Sequence, residues 1–122
     1  MRVMVIGAST NREKFGNKAV RAYLSQGHVV LPVNPRADRI EGLRCYADAA
    51  SVPGDGPIDR ASMYLPPALG LEAVEQLAAR GDVKELWLNP GSESPALVAR
   101  AKELGLTVVQ ACSIAAIGIH PE

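Results

Sequence analysis

The fold of this chain is decided by one stretch near its beginning, Val3-Met4-Val5-Ile6-Gly7-Ala8-Ser9-Thr10-Asn11-Arg12-Glu13-Lys14-Phe15-Gly16-Asn17. Its apolar first residues favour a strand that ends at Gly7, and a helical pattern begins near Gly16. A strand that turns in this way into a helix presents backbone N–H groups, which together with the helix dipole suit a phosphate. The pattern therefore predicts a phosphate-binding turn, although Gly7 would equally serve a tight turn with no ligand.

Composition limits the class of protein. The 122 residues are 48% apolar and 21% charged, which is typical of one globular domain over residues 1–122. Lysine plus arginine and aspartate plus glutamate both number 13, so neither nucleic acid nor an anionic membrane is expected as a partner. No apolar run approaches the roughly 18 residues of a membrane span, and the chain enters a predicted strand at once. Two cysteines make no disulfide framework, so we expect a cytoplasmic protein.

The rest of the chain alternates predicted strands with predicted helices. The strands are expected over about 2–6, 28–33, 59–65, 85–89 and 106–111. The helices are expected over about 15–25, 67–80 and 95–104. Gly27, Gly81 and Gly105 each stand between a predicted helix and the next predicted strand, which favours a parallel sheet with right-handed crossovers. We therefore predict a Rossmann-like α/β fold of three layers, whose five parallel strands have the order 3-2-1-4-5.

Three segments fit this pattern less simply. Pro32 lacks the donor that a strand needs, so it predicts a local break near the end of the second strand. The irregular residues 37–56 are expected to hold an extended piece over 43–46 and a helical turn near Asp48. The mostly apolar tail 112–122 is expected to cover the sheet edge or to form a short helix.

The candidate site is found in the loops after the strands, because ligands of such sheets lie at the carboxyl ends of the strands. A dinucleotide fold would offer Gly-x-Gly-x-x-Gly after the first strand and an acidic residue after the second. This chain has only Gly7 and Gly16 in the first place and Asn34-Pro35-Arg36 in the second, which disfavours NAD. The Arg36 guanidinium would suit the ribose phosphate of NADP or the 3′-phosphate of coenzyme A, or it is a solvated turn residue.

A set of short motifs recurs in order over about residues 3–112: Gly7-Ala8-Ser9, Lys14-Phe15-Gly16-Asn17, Pro32-Val33-Asn34-Pro35, Gly42-Leu43-Arg44-Cys45-Tyr46, Pro66-Pro67 and Trp87-Leu88-Asn89-Pro90-Gly91. Together they resemble the small single-domain CoA-binding proteins, which are similar to the amino-terminal CoA-binding domain of the succinyl-CoA synthetase α subunit. The resemblance implies a Rossmann-like domain that binds coenzyme A as its cofactor.

By matching position, the resemblance implies a role for each loop. Gly7, Ser9 and Lys14 would hold phosphates, Asn34-Pro35-Arg36 would flank the adenosine, and Pro66-Pro67 would line the path to the pantetheine. The complete set of expected cofactor-binding residues is Gly7, Ala8, Ser9, Thr10, Lys14, Phe15, Asn34, Pro35, Arg36, Pro66, Pro67, Asn89 and Gly91.

The sequence shows no catalytic constellation and no metal-ligand spacing. His28 begins a strand at the end opposite the predicted site, and His120 lies near the terminus. Cys112 lies at the ligand end, where an inert thiol is the preferred interpretation and a mixed disulfide with the CoA thiol is the alternative. The synthetase needs a phosphorylated histidine in a further domain, so ligase activity is not expected from this chain alone.

The expectation is therefore a non-catalytic module that binds CoA or an acyl-CoA. An oxidoreductase or redox sensor that uses NADP(H) is the first alternative. A subunit that lends its CoA site to a partner chain, or a homo-oligomer, is the second.

Overall fold

The computed structural model describes residues 1–120. Within them the strands are β1 Arg2–Ile6, β2 Val29–Val33, β3 Arg39–Ile40, β4 Leu43–Arg44, β5 Arg60–Met63, β6 Leu86–Leu88 and β7 Val108–Val109. The helices are α1 Phe15–Ser25, α2 Pro67–Arg80 and α3 Pro95–Glu103. Two short 3-10 turns span Ala49–Ser51 and Ala115–Ile117.

One parallel sheet carries the architecture. Its strands have the order β2-β1-β5-β6-β7, while β3 and β4 form a separate antiparallel hairpin. Alternate side chains of β1 enter two cores, since Val3 and Val5 pack on the side of α1 and Met4 and Ile6 on the side of α2 and α3. A strand that is buried on both faces explains the unbroken apolar run of the sequence. The predicted three-layer, Rossmann-like fold with five parallel strands is confirmed.

The predicted order of the strands, 3-2-1-4-5, is wrong in one respect. The third sheet strand, β5, pairs with β1 instead of lying beyond β2, so the order is 2-1-3-4-5. The outer edge of β2 is already occupied, because the Tyr46 N–H donates to the Pro32 carbonyl and the Asn34 N–H donates to the Tyr46 carbonyl, both at 2.9 Å. The switch point of the sheet therefore lies between β1 and β5.

Pro32 does not break β2, contrary to expectation. Its carbonyl faces the outer edge, where it accepts from Tyr46, so its nitrogen faces that edge too. The next residue, Val33, faces β1, and its carbonyl accepts from the N–H groups of Gly7 at 3.1 Å and Ala8 at 3.2 Å. The donor that proline lacks is thus missing on the side away from β1, which a strand at the sheet margin tolerates.

The less regular segments fold largely as expected. The extended piece over 43–46 contains β4, and the helical turn near Asp48 is the turn Ala49–Ser51, whose Ser51 N–H donates to the Asp48 carboxylate at 2.8 Å. The tail forms a short helical turn and packs on α1, since the Gln26 amide donates to the Ile117 carbonyl at 2.8 Å. The last two residues of that predicted segment lie outside the described residues. Among residues 1–120, no helix has the length and apolar character of a membrane span.

Candidate functional site

The carboxyl ends of the sheet strands open into a cleft of about 1180 Å³, which is large enough for a nucleotide cofactor. Most of the predicted site residues line it: Gly7, Ala8, Ser9, Lys14, Phe15, Asn34, Pro35, Arg36, Pro66, Asn89 and Gly91. Thr10 and Pro67 are outside the lining; Thr10 is an exposed residue of the first loop, and Pro67 is the first residue of α2. A smaller hollow of about 440 Å³ beside α3 contains none of the predicted residues.

Two glycines let the first loop close onto the sheet. Gly7 has a φ of +85°, and a Cβ there would approach the Tyr64 carbonyl carbon to 3.1 Å and the Leu65 nitrogen to 3.2 Å. A Cβ on Gly16 would overlap the carbonyl oxygen of Gly7. Gly7 is therefore required by the packing of β1 against the end of β5, whatever the cleft binds. Gly16, which was outside the predicted set, is what allows α1 to start directly on the loop.

Helix α1 begins at the cleft with an incomplete end. Lys14 precedes its first residue in an extended conformation, and no side chain caps the helix. Within residues 1–120 the backbone N–H groups of Phe15 and Gly16 have no acceptor. Both residues line the cleft, so an anion placed there would meet free donors and the positive end of the helix dipole.

Two cationic side chains in the cleft lack a partner. Within residues 1–120 neither the Lys14 ammonium nor the Arg36 guanidinium forms an ion pair or a side-chain hydrogen bond. Arg12, by contrast, pairs with Glu41 at 3.1 Å and does not line the cleft. The lining also contains three carboxylates, those of Glu13, Asp48 and Glu72. The unpaired positive charge of the cleft is therefore local to the start of α1 and to the turn after β2.

Asn34 ties the first two loops together. Its side-chain Nδ2 donates to the Ala8 carbonyl at 2.8 Å, and its Oδ1 accepts from the Arg36 N–H at 2.8 Å. The first bond fixes the loop after β1 to the end of β2, and the second makes the Asx turn that presents Arg36. Asn34 therefore fixes the positions of two loops that line the cleft.

Asn89 likewise joins separate elements by hydrogen bonds at the other end of the cleft, and it is only 2% exposed. Its Nδ2 donates to the Met63 carbonyl and to Ser62 Oγ, both at 2.9 Å, and its Oδ1 accepts from the Ser113 N–H at 2.8 Å. These bonds use both amide hydrogens, so the side chain holds β5, β6 and the segment after β7 together. Its sequence position after a strand signalled the site but not this role.

Tyr64 lines the cleft and was missed by sequence reasoning. Its hydroxyl lies 3.3 Å from Ser113 Oγ, which itself lies 2.6 Å from Ser62 Oγ. Burial raises the pKa of the Tyr64 hydroxyl above its ordinary value, so this group stays protonated at neutral pH. Tyr64 stands directly before the Leu65-Pro66-Pro67 segment. Its position near the end of a predicted strand was the sequence signal that could have placed it in the cleft.

The two cysteines occupy different surroundings. Cys45 is buried, and burial raises the pKa of its thiol above the ordinary value, which is consistent with an inert group. Cys112 is half-buried and lines the cleft. His28 lies at the far end of the sheet, where its Nδ1 is 3.0 Å from the amino-terminal nitrogen. Among residues 1–120 no cluster of side chains suited to a metal ion is present.

Comparison with known proteins shows the family of the chain. A model of the family described as "CoA binding domain" matches residues 1–118. Among curated proteins, the chain is 25% identical to the protein YneT of Bacillus subtilis over 88% of this chain and 78% of YneT.

Solved structures extend the likeness. A conserved hypothetical protein from Pyrococcus furiosus is 35% identical, with a TM-score of 0.80 and 92% of each chain covered. A dinucleotide-forming acetyl-coenzyme A synthetase from Ca. Korarchaeum cryptofilum is 31% identical, with a TM-score of 0.77; the match covers 90% of this chain and 25% of the synthetase. With a cleft at the strand ends and a family match along almost its whole length, the chain belongs to the family of CoA-binding domains.

Proposed function

We propose that this protein binds coenzyme A or an acyl-CoA in the cleft at the strand ends and catalyses no reaction of its own. One observation carries the proposal: an uncapped helix start and two unpartnered cations share a single cofactor-sized cleft. Each supplies positive potential or free donors at a place where the ligand carries phosphate. The family match supports the same ligand.

The arrangement of the cleft suggests how CoA lies in it. Its diphosphate lies between Ser9 and the N–H groups at the start of α1. Its adenosine lies beside Pro35, and the 3′-phosphate meets the Arg36 guanidinium. The pantetheine then passes Pro66 toward Asn89, Gly91 and Cys112, which line the far end of the cleft.

The lining of the cleft supports a binding role without catalysis. Several of its polar groups are engaged in holding the protein together, as the bonds of Asn89 and Tyr64 show. Nucleophilic catalysis needs a nucleophile within hydrogen-bond reach of a base. Among the described residues the Cys112 thiol has no such basic neighbour, and Tyr64 bonds only to serine.

An NADP(H)-dependent oxidoreductase is the second candidate, and Arg36 favours it. A free guanidinium after β2 suits the ribose phosphate of NADP as well as that of CoA. The deciding experiment is a calorimetric titration with CoA, dephospho-CoA, NAD and NADP. We expect CoA to bind most tightly, dephospho-CoA more weakly and NAD weakest. Tighter binding of NADP than of CoA would overturn the proposal in favour of the oxidoreductase.

A role as a subunit that lends its CoA site to a partner chain stays open beside these two. The synthetase from Ca. Korarchaeum cryptofilum contains a similar region within a chain about four times longer, as its 25% coverage implies. Mass spectrometry of the small molecule released from the denatured, natively purified protein would identify the ligand. Co-purification of a second chain in the same preparation would support the subunit role.

A further inference from the structure

The loop over residues 8–14, called here the phosphate loop, is hydrogen-bonded to the β3–β4 hairpin. The tip of that hairpin is Glu41-Gly42, with φ of +50° and +78°. Two successive residues with positive φ fit the tight turn of a two-residue hairpin. Among residues 1–120, Glu41 is the one non-glycine residue with positive φ. This conformation is costly for a residue with a Cβ, so contacts of the Glu41 side chain must offset the cost.

The Glu41 carboxylate ends a network that reaches the phosphate loop. Its Oε2 accepts from Asn17 Nδ2 at 3.1 Å, and its Oε1 accepts from Arg12 at 3.1 Å. Asn17 is fully buried, and the same Nδ2 donates to the Ser9 carbonyl at 2.8 Å. Arg21 completes the network, since it donates to Asn17 Oδ1 at 2.7 Å and to the Arg12 carbonyl at 2.8 Å. The loop backbone is thus held at Ser9 and again at Arg12.

The hairpin is anchored in the hydrophobic core. Ile40, beside the tip, is 1% exposed and belongs to the core on the α1 side of the sheet. Glu41 does not line the cleft. Any influence on a ligand must therefore pass through the loop that it holds.

We propose that Glu41 is a positioning residue for CoA binding, which holds the phosphate loop in its binding conformation through Asn17 and Arg12. The inference rests on the proposed function. It has two consequences. The loop is preorganised before the ligand arrives, so less ordering is lost on binding. Arg12 is also kept out of the cleft by its ion pair, which leaves Lys14 as the cation of this loop.

Two substitutions separate this role from a general effect on stability. Glu41→Gly removes the carboxylate and also relieves the positive φ, so the turn itself is not weakened. Glu41→Gln keeps an oxygen that can accept from Asn17 but removes the charge. The matched control is Arg39→Gln in the same hairpin, because among residues 1–120 the Arg39 side chain bonds only to the Gly42 carbonyl, at 3.2 Å.

The first measurement is amide hydrogen exchange in the ligand-free protein. The amides of Asn11, Glu13 and Lys14 are hydrogen-bonded within the loop at 3.0 to 3.1 Å. In Glu41→Gly we expect these amides to exchange about tenfold faster, while amides of β1 and β5 are unchanged. Loop exchange at the wild-type rate would overturn the inference.

The second measurement is titration with CoA, beside urea unfolding. We expect Glu41→Gly to bind CoA about tenfold more weakly with no loss of unfolding midpoint, and Glu41→Gln to recover most of the affinity. Wild-type affinity in Glu41→Gly, or an equal loss in Arg39→Gln, would contradict the positioning role. A wild-type protein that binds no CoA would instead overturn the proposed function. Hydrogen exchange would still test whether Glu41 orders the phosphate loop.

Discussion

Helices α1 and α3 both follow a strand of the same sheet, yet they begin differently. Ser94 precedes α3, and its Oγ accepts from the Leu97 N–H at 3.1 Å, with Pro95 at the first helical position. Helix α1 follows Lys14, which makes no side-chain cap, and the N–H groups of Phe15 and Gly16 have no acceptor within the described part of the chain. A capped start is satisfied by its own chain, whereas an uncapped start at a cleft leaves donors for an external anion.

Under the proposed function, the difference separates a helix start that stabilises the fold from one that binds the ligand. Substitutions at α3 should change the free energy of unfolding and spare CoA affinity. Substitutions at the start of α1 should do the reverse, except where they disturb the contact between α1 and the first loop.

The largest effect is expected from Gly16→Val, which breaks the geometry of the α1 start. A Cβ at this position would overlap the Gly7 carbonyl oxygen, so α1 must move off the loop. We expect a loss of about 3 kcal/mol in the free energy of unfolding, measured by urea denaturation, together with loss of CoA binding. Gly54→Ala is the control, since a Cβ there has no neighbour within 4 Å. Equal midpoints for the two variants would contradict the packing argument.

Lys14→Ala tests the binding role of the α1 start directly. We expect CoA affinity to fall about tenfold to a hundredfold, because a charge-assisted hydrogen bond is worth about 1.5–3 kcal/mol. The exposure of Lys14 places the result toward the lower value. The unfolding midpoint of the ligand-free protein should not change. Calorimetry checks the affinity, and Lys102→Ala on α3 is the control, because Lys102 is an exposed lysine that does not line the cleft. A variant that binds CoA like the wild type would make Lys14 a solvated residue.

Arg36→Ala tests whether the loop after β2 also contacts the ligand through a cation. If its guanidinium meets the 3′-phosphate, the wild type should prefer CoA over dephospho-CoA by about tenfold or slightly less, given the exposure of this side chain. The variant should bind the two ligands almost equally. The test is paired titration of both proteins with both ligands. An unchanged preference in the variant would assign the phosphate contact to another residue, most directly Lys14.

Ser94→Ala should produce the smallest effect and the opposite pattern. Loss of the cap at α3 should lower the free energy of unfolding by about 1 kcal/mol, measured by urea denaturation. CoA affinity should be unchanged, because Ser94 does not line the cleft. A clear fall in CoA affinity would show that the starts of α1 and α3 are not independent, and so would remove the basis of the comparison.

The elements that were predicted well depend on neighbouring residues. The bounds of α1 and α2 agree with the expectation, because helical spacing, Pro67 at a first helical position and Gly81 in the left-handed conformation are local signals. The loops of the site were also predictable, because the carboxyl ends of parallel strands meet at one edge of a sheet. The family match supports the proposal that those loops bind CoA, and the roles of the individual residues are still predictions.

Short-range patterns of the sequence were enough to predict the helices, the five parallel strands and the edge of the sheet at which the cleft opens, since apolar periodicity and turn residues act over a few positions. The order of the strands depended on long-range contacts, because the edge of β2 is closed by Tyr46. Long-range contacts also settle which cations of the first loop are free within residues 1–120. Arg12 and Lys14 look alike in the first loop, and the ion pair between Arg12 and Glu41 is formed by residues far apart in the chain. Contacts of that kind depend on how distant segments pack against each other, and local sequence patterns do not encode that packing.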